Sequence, residues 1–272
     1  MKKIAFFIKH DNKSERIKDD FCNIRGIDFF DASTDVTKIP DTVVCFGGDG
    51  TILHAAEYCI EKDVPLVSVN TGNLGFLSMF GPNDKLSFQK TILQNSIDYE
   101  NIKMFSAKIE NSVFQTTNSF LFLNDAVIQR KISENLTNGA LSIKIFIEGK
   151  IFQELVADGL IISSPIGSTA YSLSAGGAIL APELSALIIT PICAHSYFCP
   201  IVLPDNCKIK IEIGDKSHDC IFYTDGKNGV SLHNGESVNI ALSEKKLKIA
   251  RGKYDFYSRL NNKILKWGSK NV

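Results

Sequence analysis

The segment Val43-Val44-Cys45-Phe46-Gly47-Gly48-Asp49-Gly50-Thr51-Ile52-Leu53 passes from an apolar run, through three glycines set around one carboxylate, into a second apolar run. Thr42 to Phe46 has the continuous β-branched and aromatic character of a buried strand. From Thr51 to Lys62, Ile52, Leu53, Ala55, Ala56, Cys59 and Ile60 recur at spacings of three and four, which predicts a helix with one apolar face. Glycines at such a strand-to-helix junction allow a tight turn and close backbone approach to a ligand, and amides at the helix start favour a phosphate. Asp49 then stands at the carboxyl end of a strand, where open α/β sheets place their ligands. A carboxylate fixed there can orient and deprotonate an attacking hydroxyl, the step for which phosphoryl transfer needs a positioned base. Helix capping alone would account for Asp49, but it leaves the three glycines without a purpose.

Working outward, short β-like runs at Ile4–Ile8, Ile27–Phe30 and Leu66–Val69 alternate with helical segments, including Asp84–Leu93. That alternation predicts an α/β N-terminal domain with a mainly parallel sheet over residues 1–100. From Tyr99 the pattern changes to β-branched and aromatic runs broken by turn residues, as in Leu141–Ile147, Glu148-Gly149-Lys150 and Ile151–Val156. Further runs at Lys208–Ile213, Cys220–Thr224, Ser237–Leu242 and Leu247–Ala250 extend this to a β-rich C-terminal domain over residues 101–256. Tyr257–Trp267 reads as a short helix, and the segment 257–272 is in a position to pack back on the first domain.

Two more clusters carry chemistry. Asn70-Thr71-Gly72-Asn73-Leu74-Gly75-Phe76 follows the strand Leu66–Val69, which sets it beside the first glycine loop if the two strands are neighbours. Phe76 is available to lie against a base or ribose, although an aromatic after a loop is more often core. The stretch from Asp158-Gly159 through Ser163-Ser164-Pro165-Ile166-Gly167-Ser168-Thr169-Ala170-Tyr171-Ser172-Leu173-Ser174 to Gly177 joins an apolar strand to small and hydroxyl-bearing residues. Small residues make room for a ligand, and hydroxyls with backbone amides offer neutral hydrogen bonds to a base, ribose or phosphate. A tightly packed small-residue helix explains the alanines and glycines, but not the five hydroxyls of Ser168, Thr169, Tyr171, Ser172 and Ser174.

The composition narrows the partner. Lys plus Arg equals Asp plus Glu at 30 each, so no broad cationic field is present to attract nucleic acid or anionic lipid, and a small molecule is the expected partner. The seven cysteines are scattered without a Cys-x-x-Cys pair or a His at metal-ligand spacing, which points to reduced thiols, no protein-built metal site and a cytoplasmic setting. No apolar run reaches the length of a membrane span, and the five apolar residues Ile4–Ile8 are too few for a signal peptide core.

These three clusters, in this order and at these separations, resemble the NAD kinase family, together with Thr190-Pro191-Ile192-Cys193-Ala194-His195-Ser196 and Pro200-Ile201-Val202-Leu203-Pro204. The resemblance implies transfer of the γ-phosphate of ATP, or a phosphate of polyphosphate, to the 2′-hydroxyl of the adenosine ribose of NAD, giving NADP. It implies Asp49 as the catalytic base, with Gly50 beside the substrate and His54 where a basic residue often sits. It matches Asn124 and Asp125 to an Asn-Glu pair that holds the ribose hydroxyls, Asp158 to an acidic residue near the nicotinamide, and Thr169, Ala170, Tyr171, Leu173 and Ser174, with Ser172 among them, to the adenine and its ribose. It also implies a divalent cation, expected as Mg²⁺ on the donor phosphates, and a homo-oligomer, dimer or tetramer.

Four positions depart from the family pattern: Asp125 for Glu, Ile166 for Thr, Val156 for a common Arg, and Cys199 for an Arg before Pro200. They bear on ribose and phosphate contacts, not on the base. Lipid kinases and phosphofructokinase share the Gly-Gly-Asp-Gly loop, but the lipid enzymes follow it with Gly-Thr-x-Asn-Asp, which is absent here. An inactive dinucleotide sensor is the alternative from another class, and retention of Asp49 counts against it.

Overall fold

The computed structural model describes residues 2–35, 37–72, 75–110, 117–131, 139–215, 219–252 and 255–262. The chain forms two compact units, Met1–Ile102 with Lys245–Val272, and Lys103–Glu244. Residues 245–256, read from the sequence as part of the second domain, therefore belong to the first unit. The physical reason is that Ser237–Leu242 and Leu247–Ala250 are not two strands but one, Ser237–Ala250, whose exposed polar middle hides an unbroken extended backbone.

In chain order the first unit contains β1 (Lys2–Ile8), α1 (Asn12–Cys22), β2 (Ile27–Asp31), β3 (Thr42–Phe46), α2 (Asp49–Lys62), β4 (Leu66–Val69) and α3 (Lys85–Gln94). Its strands lie in the order β2-β1-β3-β4, all parallel. Ile249, near the end of the long C-terminal strand, pairs in parallel with Leu66 beyond β4. β3 and β4 are buried at every residue, which is why their sequences read as continuous apolar runs rather than alternating ones. Phe21 of α1 and Phe88 of α3 meet at 5.2 Å between ring centroids, and both contact Phe46 of β3. The chain leaves β1 for β2 on one side and returns to β3 on the other, so β1 and β3 flank the topological switch point of this sheet. Ligands of open α/β folds bind at the carboxyl ends of strands at such a point.

The second unit continues through β5 (Tyr99–Glu110), which begins just before it, β6 (Thr117–Phe122), β7 (Asp125–Arg130), β8 (Leu141–Ile147), β9 (Lys150–Ala157) and β10 (Gly159–Ser163). A 3₁₀ turn at Gly167–Thr169 and the one-turn α4 (Tyr171–Ser174) follow, then β11 (Ala186–Ile192), β12 (Ile201–Pro204), β13 (Ile209–Ile213), β14 (Cys220–Thr224), β15 (Lys227–Leu232) and β16 (Ser237–Ala250). One antiparallel sheet runs β12-β11-β10-β7-β14-β15. Elsewhere in the unit β13 lies antiparallel between the first residues of β16 and β8, with β9 beyond β8. Their alternation of buried and half-buried residues is the mark of strands with one covered face. Phe105, Phe122, Ile143, Leu160, Ile211 and Phe222 form the centre of this core.

The chain ends its described part with α5 (Phe256–Leu260). The helix expected over Tyr257–Trp267 is seen only in that part, and residues 263–272 lie outside the described residues. All seven cysteines are free, and burial pushes the Cys22 and Cys220 thiols up to about 12. Among the described residues no helix is long and apolar enough to cross a membrane.

Candidate active site

In the first unit, β3 delivers its chain into α2 through Gly47 and Gly48, and Gly48 rather than Asp49 occupies the N-cap position. Asp49 is thus the first residue of the helix, and its side chain is used elsewhere than in capping. Its carboxylate accepts the backbone N–H of Phe76 at 3.1 Å and of Leu77 at 3.3 Å. The second loop was expected beside the first, and these bonds are the contact between them. Gly75 makes that contact possible, because a Cβ there would collide with the Asp49 carboxylate and stand 2.9 Å from the Ser78 hydroxyl. Asn73 and Leu74 of the same loop lie outside the described residues.

Next to this junction is a cavity of about 1090 Å³ at the carboxyl ends of β1, β3 and β4. Lys9, His10, Lys13 and His54 bring basic side chains to it, and Gly48, Gly50 and Thr51 form the helix start in its wall. Gly48 has no side chain to cap α2, so the positive end of the helix dipole faces this space. Asp11 also lines the cavity and pairs with Lys9 at 2.8 Å, so the helix start, its backbone amides, Lys13 and the two histidines are the features that suit a polyphosphate anion. Gly50 and His54 are exposed residues of its lining.

In the second unit, Asn124 and Asp125 sit where β6 turns into β7. The turn is held by a residue the sequence reading did not select, Asp225, in the two-residue connection between β14 and β15. Asp225 has φ 49° and Gly226 φ 72°, the left-handed pair that a type I′ hairpin requires. The Asp225 carboxylate accepts three successive backbone N–H groups, from Leu123 at 2.9 Å, Asn124 at 2.8 Å and Asp125 at 3.2 Å. The Asp225 N–H in turn donates to the Asp125 carbonyl at 2.9 Å. Asp-Gly between two β-like runs is a legible hairpin signal, but nothing local reveals where its carboxylate will point.

The hydroxyl-rich stretch meets the same turn. Ser164 donates from its backbone N–H to the Asn124 carbonyl at 2.8 Å and from its hydroxyl to the Leu123 carbonyl. Gly167 packs directly on Asn124, and any Cβ there would overlap the Asn124 backbone. Burial, followed by the charge of Asp225, raises the Asp125 carboxyl to about 7. Burial also raises Asp225, but the three N–H bonds that its carboxylate accepts oppose that rise.

Thr169, Ala170, Tyr171 and Leu173 are half-buried and Ser174 is exposed, around the start of α4. Ser172 is placed differently: its side chain is fully buried and its hydroxyl shares a 2.9 Å bond with Thr190. That bond ties α4 to β11. Asp158 forms a 2.9 Å ion pair with Arg130. Val156, where an Arg is common, is an exposed residue of β9, so Arg130 from β7 is the cation beside that carboxylate. Phe76 is half-buried with its ring 5.8 Å from that of Phe256, so one face packs on protein. Among the described residues no three or more His, Cys, Asp or Glu side chains gather as a metal site.

Residues 11–97 match the ATP-NAD kinase N-terminal domain and residues 123–252 the ATP-NAD kinase C-terminal domain. The chain is 34% identical over 235 residues to NAD kinase of Thermoanaerobacter sp. strain X514, covering 85% of this chain and 81% of the relative. It is 34% identical over 233 residues to NAD kinase of Campylobacter lari, covering 84% and 79%. Among solved structures, yeast NADH kinase complexed with NADH superposes with TM-score 0.81 at 23% identity, over 99% of this chain and 89% of that one. An NAD kinase from Archaeoglobus fulgidus in complex with ATP superposes with TM-score 0.74 at 24% identity, over 99% of both.

Proposed function

Since the chain belongs to the NAD kinase family and is a phosphotransferase that converts NAD to NADP, we propose that Asp49 is its catalytic base and that the donor is ATP. The observation that carries this reading is the fixed Asp49 carboxylate, tethered by two backbone N–H groups and flanked by Gly48 and Gly50 of the basic cavity wall. A carboxylate whose orientation is settled before substrate arrives has no ordering cost to meet at the moment of proton transfer. It takes the proton of the ribose 2′-hydroxyl as that oxygen attacks the terminal phosphorus. The bond from that phosphorus to the bridging oxygen breaks, and ADP departs with the electron pair.

His10, Lys13 and His54 are proposed to receive the donor phosphates, with the start of α2. The cation is proposed to arrive on those phosphates as Mg·ATP, held by phosphate oxygens and water, since Mg²⁺ is commonly bound that way. In the second unit, Asn124 and Asp125 are proposed to take the ribose hydroxyls, Thr169, Ala170, Tyr171, Leu173 and Ser174 to line the adenosine, and Asp158 to stand near the nicotinamide. A cytoplasmic homo-oligomer, dimer or tetramer, completes the proposal, and light scattering on the eluting protein tests the assembly.

The test of the reaction is to incubate the protein with NAD, Mg²⁺ and either ATP or polyphosphate, reading product with a dehydrogenase that accepts only NADP. Product with ATP alone supports the reading. Product with polyphosphate alone overturns the donor assignment, and an active Asp49→Asn overturns the base.

A further inference from the structure

We propose that Arg259, from the short C-terminal helix α5, is the positioning residue that holds the catalytic carboxylate of Asp49 in place through the peptide groups of the loop 75–78. The proposal rests on the reading of Asp49 as base and adds the group that orients it. Arg259 is only 4% exposed. Its guanidinium donates through Nη1 to the carbonyls of Gly75 at 2.8 Å and Phe76 at 2.7 Å, and through Nη2 to the carbonyl of Ser78 at 2.7 Å.

The geometry matters because the same peptide units are used from both ends. The Gly75–Phe76 peptide gives its carbonyl to Arg259 and its N–H to Asp49. The Phe76–Leu77 peptide does likewise, with its N–H on the other carboxylate oxygen. Each peptide is therefore polarised in one direction, with a cation at its oxygen and an anion at its N–H. Hydrogen bonds in such chains strengthen one another inside a protein. Two parallel relays fix both oxygens of one carboxylate, which sets the direction of its lone pairs and not merely its location.

The surroundings are shaped for this arginine. Gly252 leaves the space the guanidinium fills, because a Cβ there would collide with Nη2. Asp255 caps α5 by accepting the backbone N–H of Ser258 at 2.9 Å and its hydroxyl at 2.8 Å, which fixes the helix that carries Arg259. Phe256, on the same helix, packs its ring on that of Phe76. A planar fork of five donors suits several carbonyls at once, whereas a Lys ammonium cannot span the same set.

The experiment uses the full chain, with Arg259→Lys and Arg259→Ala compared with Asp49→Asn and the double variant Asp49→Asn/Arg259→Lys. The expected result is a fall in kcat of about 10²-fold for Arg259→Lys, the usual cost of a small misplacement of a catalytic group, with KM for NAD within about 3-fold of wild type. Added guanidinium, below denaturing concentration, restores part of kcat in Arg259→Ala. The double variant is no slower than Asp49→Asn alone, because a base already removed cannot be misplaced. Amide exchange at Phe76 and Leu77 quickens in Arg259→Lys, a readout that remains if Arg259→Ala does not fold. Wild-type kcat and unchanged exchange in Arg259→Lys overturn the proposal, as does a loss confined to protein stability with no kcat change in the folded fraction. Near wild-type activity of Asp49→Asn removes the underlying reading instead, so the two failures are distinguishable.

Discussion

The Asp225 carboxylate accepts the Asn124 N–H at 2.8 Å although 101 residues separate the two in the chain. With the adjoining bonds to Leu123 and Asp125, one side chain of the β14–β15 hairpin organises the whole turn that presents the Asn124-Asp125 pair. A turn of this kind has its N–H groups directed inward, and a buried N–H without an acceptor costs about 1–3 kcal/mol. The turn's shape is thus specified by a residue remote in sequence.

Asp225→Ala strands three N–H groups at once, and Asp225→Asn replaces one acceptor oxygen by a second donor facing them. Expected are a loss of several kcal/mol in unfolding free energy for Asp225→Ala and a smaller one for Asp225→Asn. In folded Asp225→Asn, KM for NAD rises by about 10-fold or more, the equivalent of about 1.4 kcal/mol, with kcat less affected. Thermal unfolding beside steady-state kinetics checks both, and an unchanged KM in a destabilised variant would confine Asp225 to stability.

Gly167 supports the same turn from its other side. Its missing Cβ is replaced, in effect, by the Asn124 backbone, which has no rotamer with which to move aside. Gly167→Ala is therefore expected to cost about 1–3 kcal/mol as an overpacked site, and to raise KM for NAD as Asn124 is displaced. A variant as stable and as tight for NAD as wild type would show that the turn yields cheaply.

Asp49→Asn keeps the size of the side chain but removes its basicity and sets an amide NH₂ against one of the two N–H groups that held the carboxylate, so turnover is expected to fall by roughly 10² to 10⁴ with NAD affinity within a small factor. Gly75→Ala reaches the same group sterically, because the new methyl must push on the carboxylate. A displacement of about 1 Å costs on the order of 10²-fold in kcat. Isothermal titration of NAD and ATP beside the rate assay separates this from lost binding, and full activity in Gly75→Ala would mean that the carboxylate position is not critical.

What was legible in the sequence follows from how local each signal is. The Asp49 loop could be read because strand, glycines and helix are contiguous, and the parallel sheet because β3 and β4 are unbroken apolar runs. α1 was not read as a helix because only Ser14 and Phe21 of its eleven residues are buried, too few to print a period. β16 was divided in two by its exposed centre, and that division moved the domain boundary. Ser172 looked like its neighbours in composition, and only packing against Thr190 separates it from them. Asp225 and Arg259 act on loops roughly one hundred and more than one hundred and eighty residues away, so no local pattern announces them.

The Asp125 carboxyl offers a test by pH. Its folded-state value is raised from 3.8 to about 7, chiefly by burial and then by the charge of Asp225. Between these values the folded chain holds a proton that the unfolded chain has released, so this residue's contribution to stability is full below about 4 and is lost as pH rises through about 7. Asp125→Asn is neutral throughout, and its thermal midpoint relative to wild type is expected to be higher at pH 8 than at pH 5. Ligand binding runs in the opposite direction, because the ionised carboxylate is the form that accepts bonds from two ribose hydroxyls. In the wild type, kcat/KM for NAD should therefore rise through about pH 7, since this ratio reports groups of the free enzyme. In Asp125→Asn that rise is lost and the ratio stays low. A wild-type ratio that is flat from pH 5 to 8 would mean either that Asp125 ionises in the ordinary carboxylate range or that it does not hold the ribose, and the pH dependence of the thermal midpoint decides between the two.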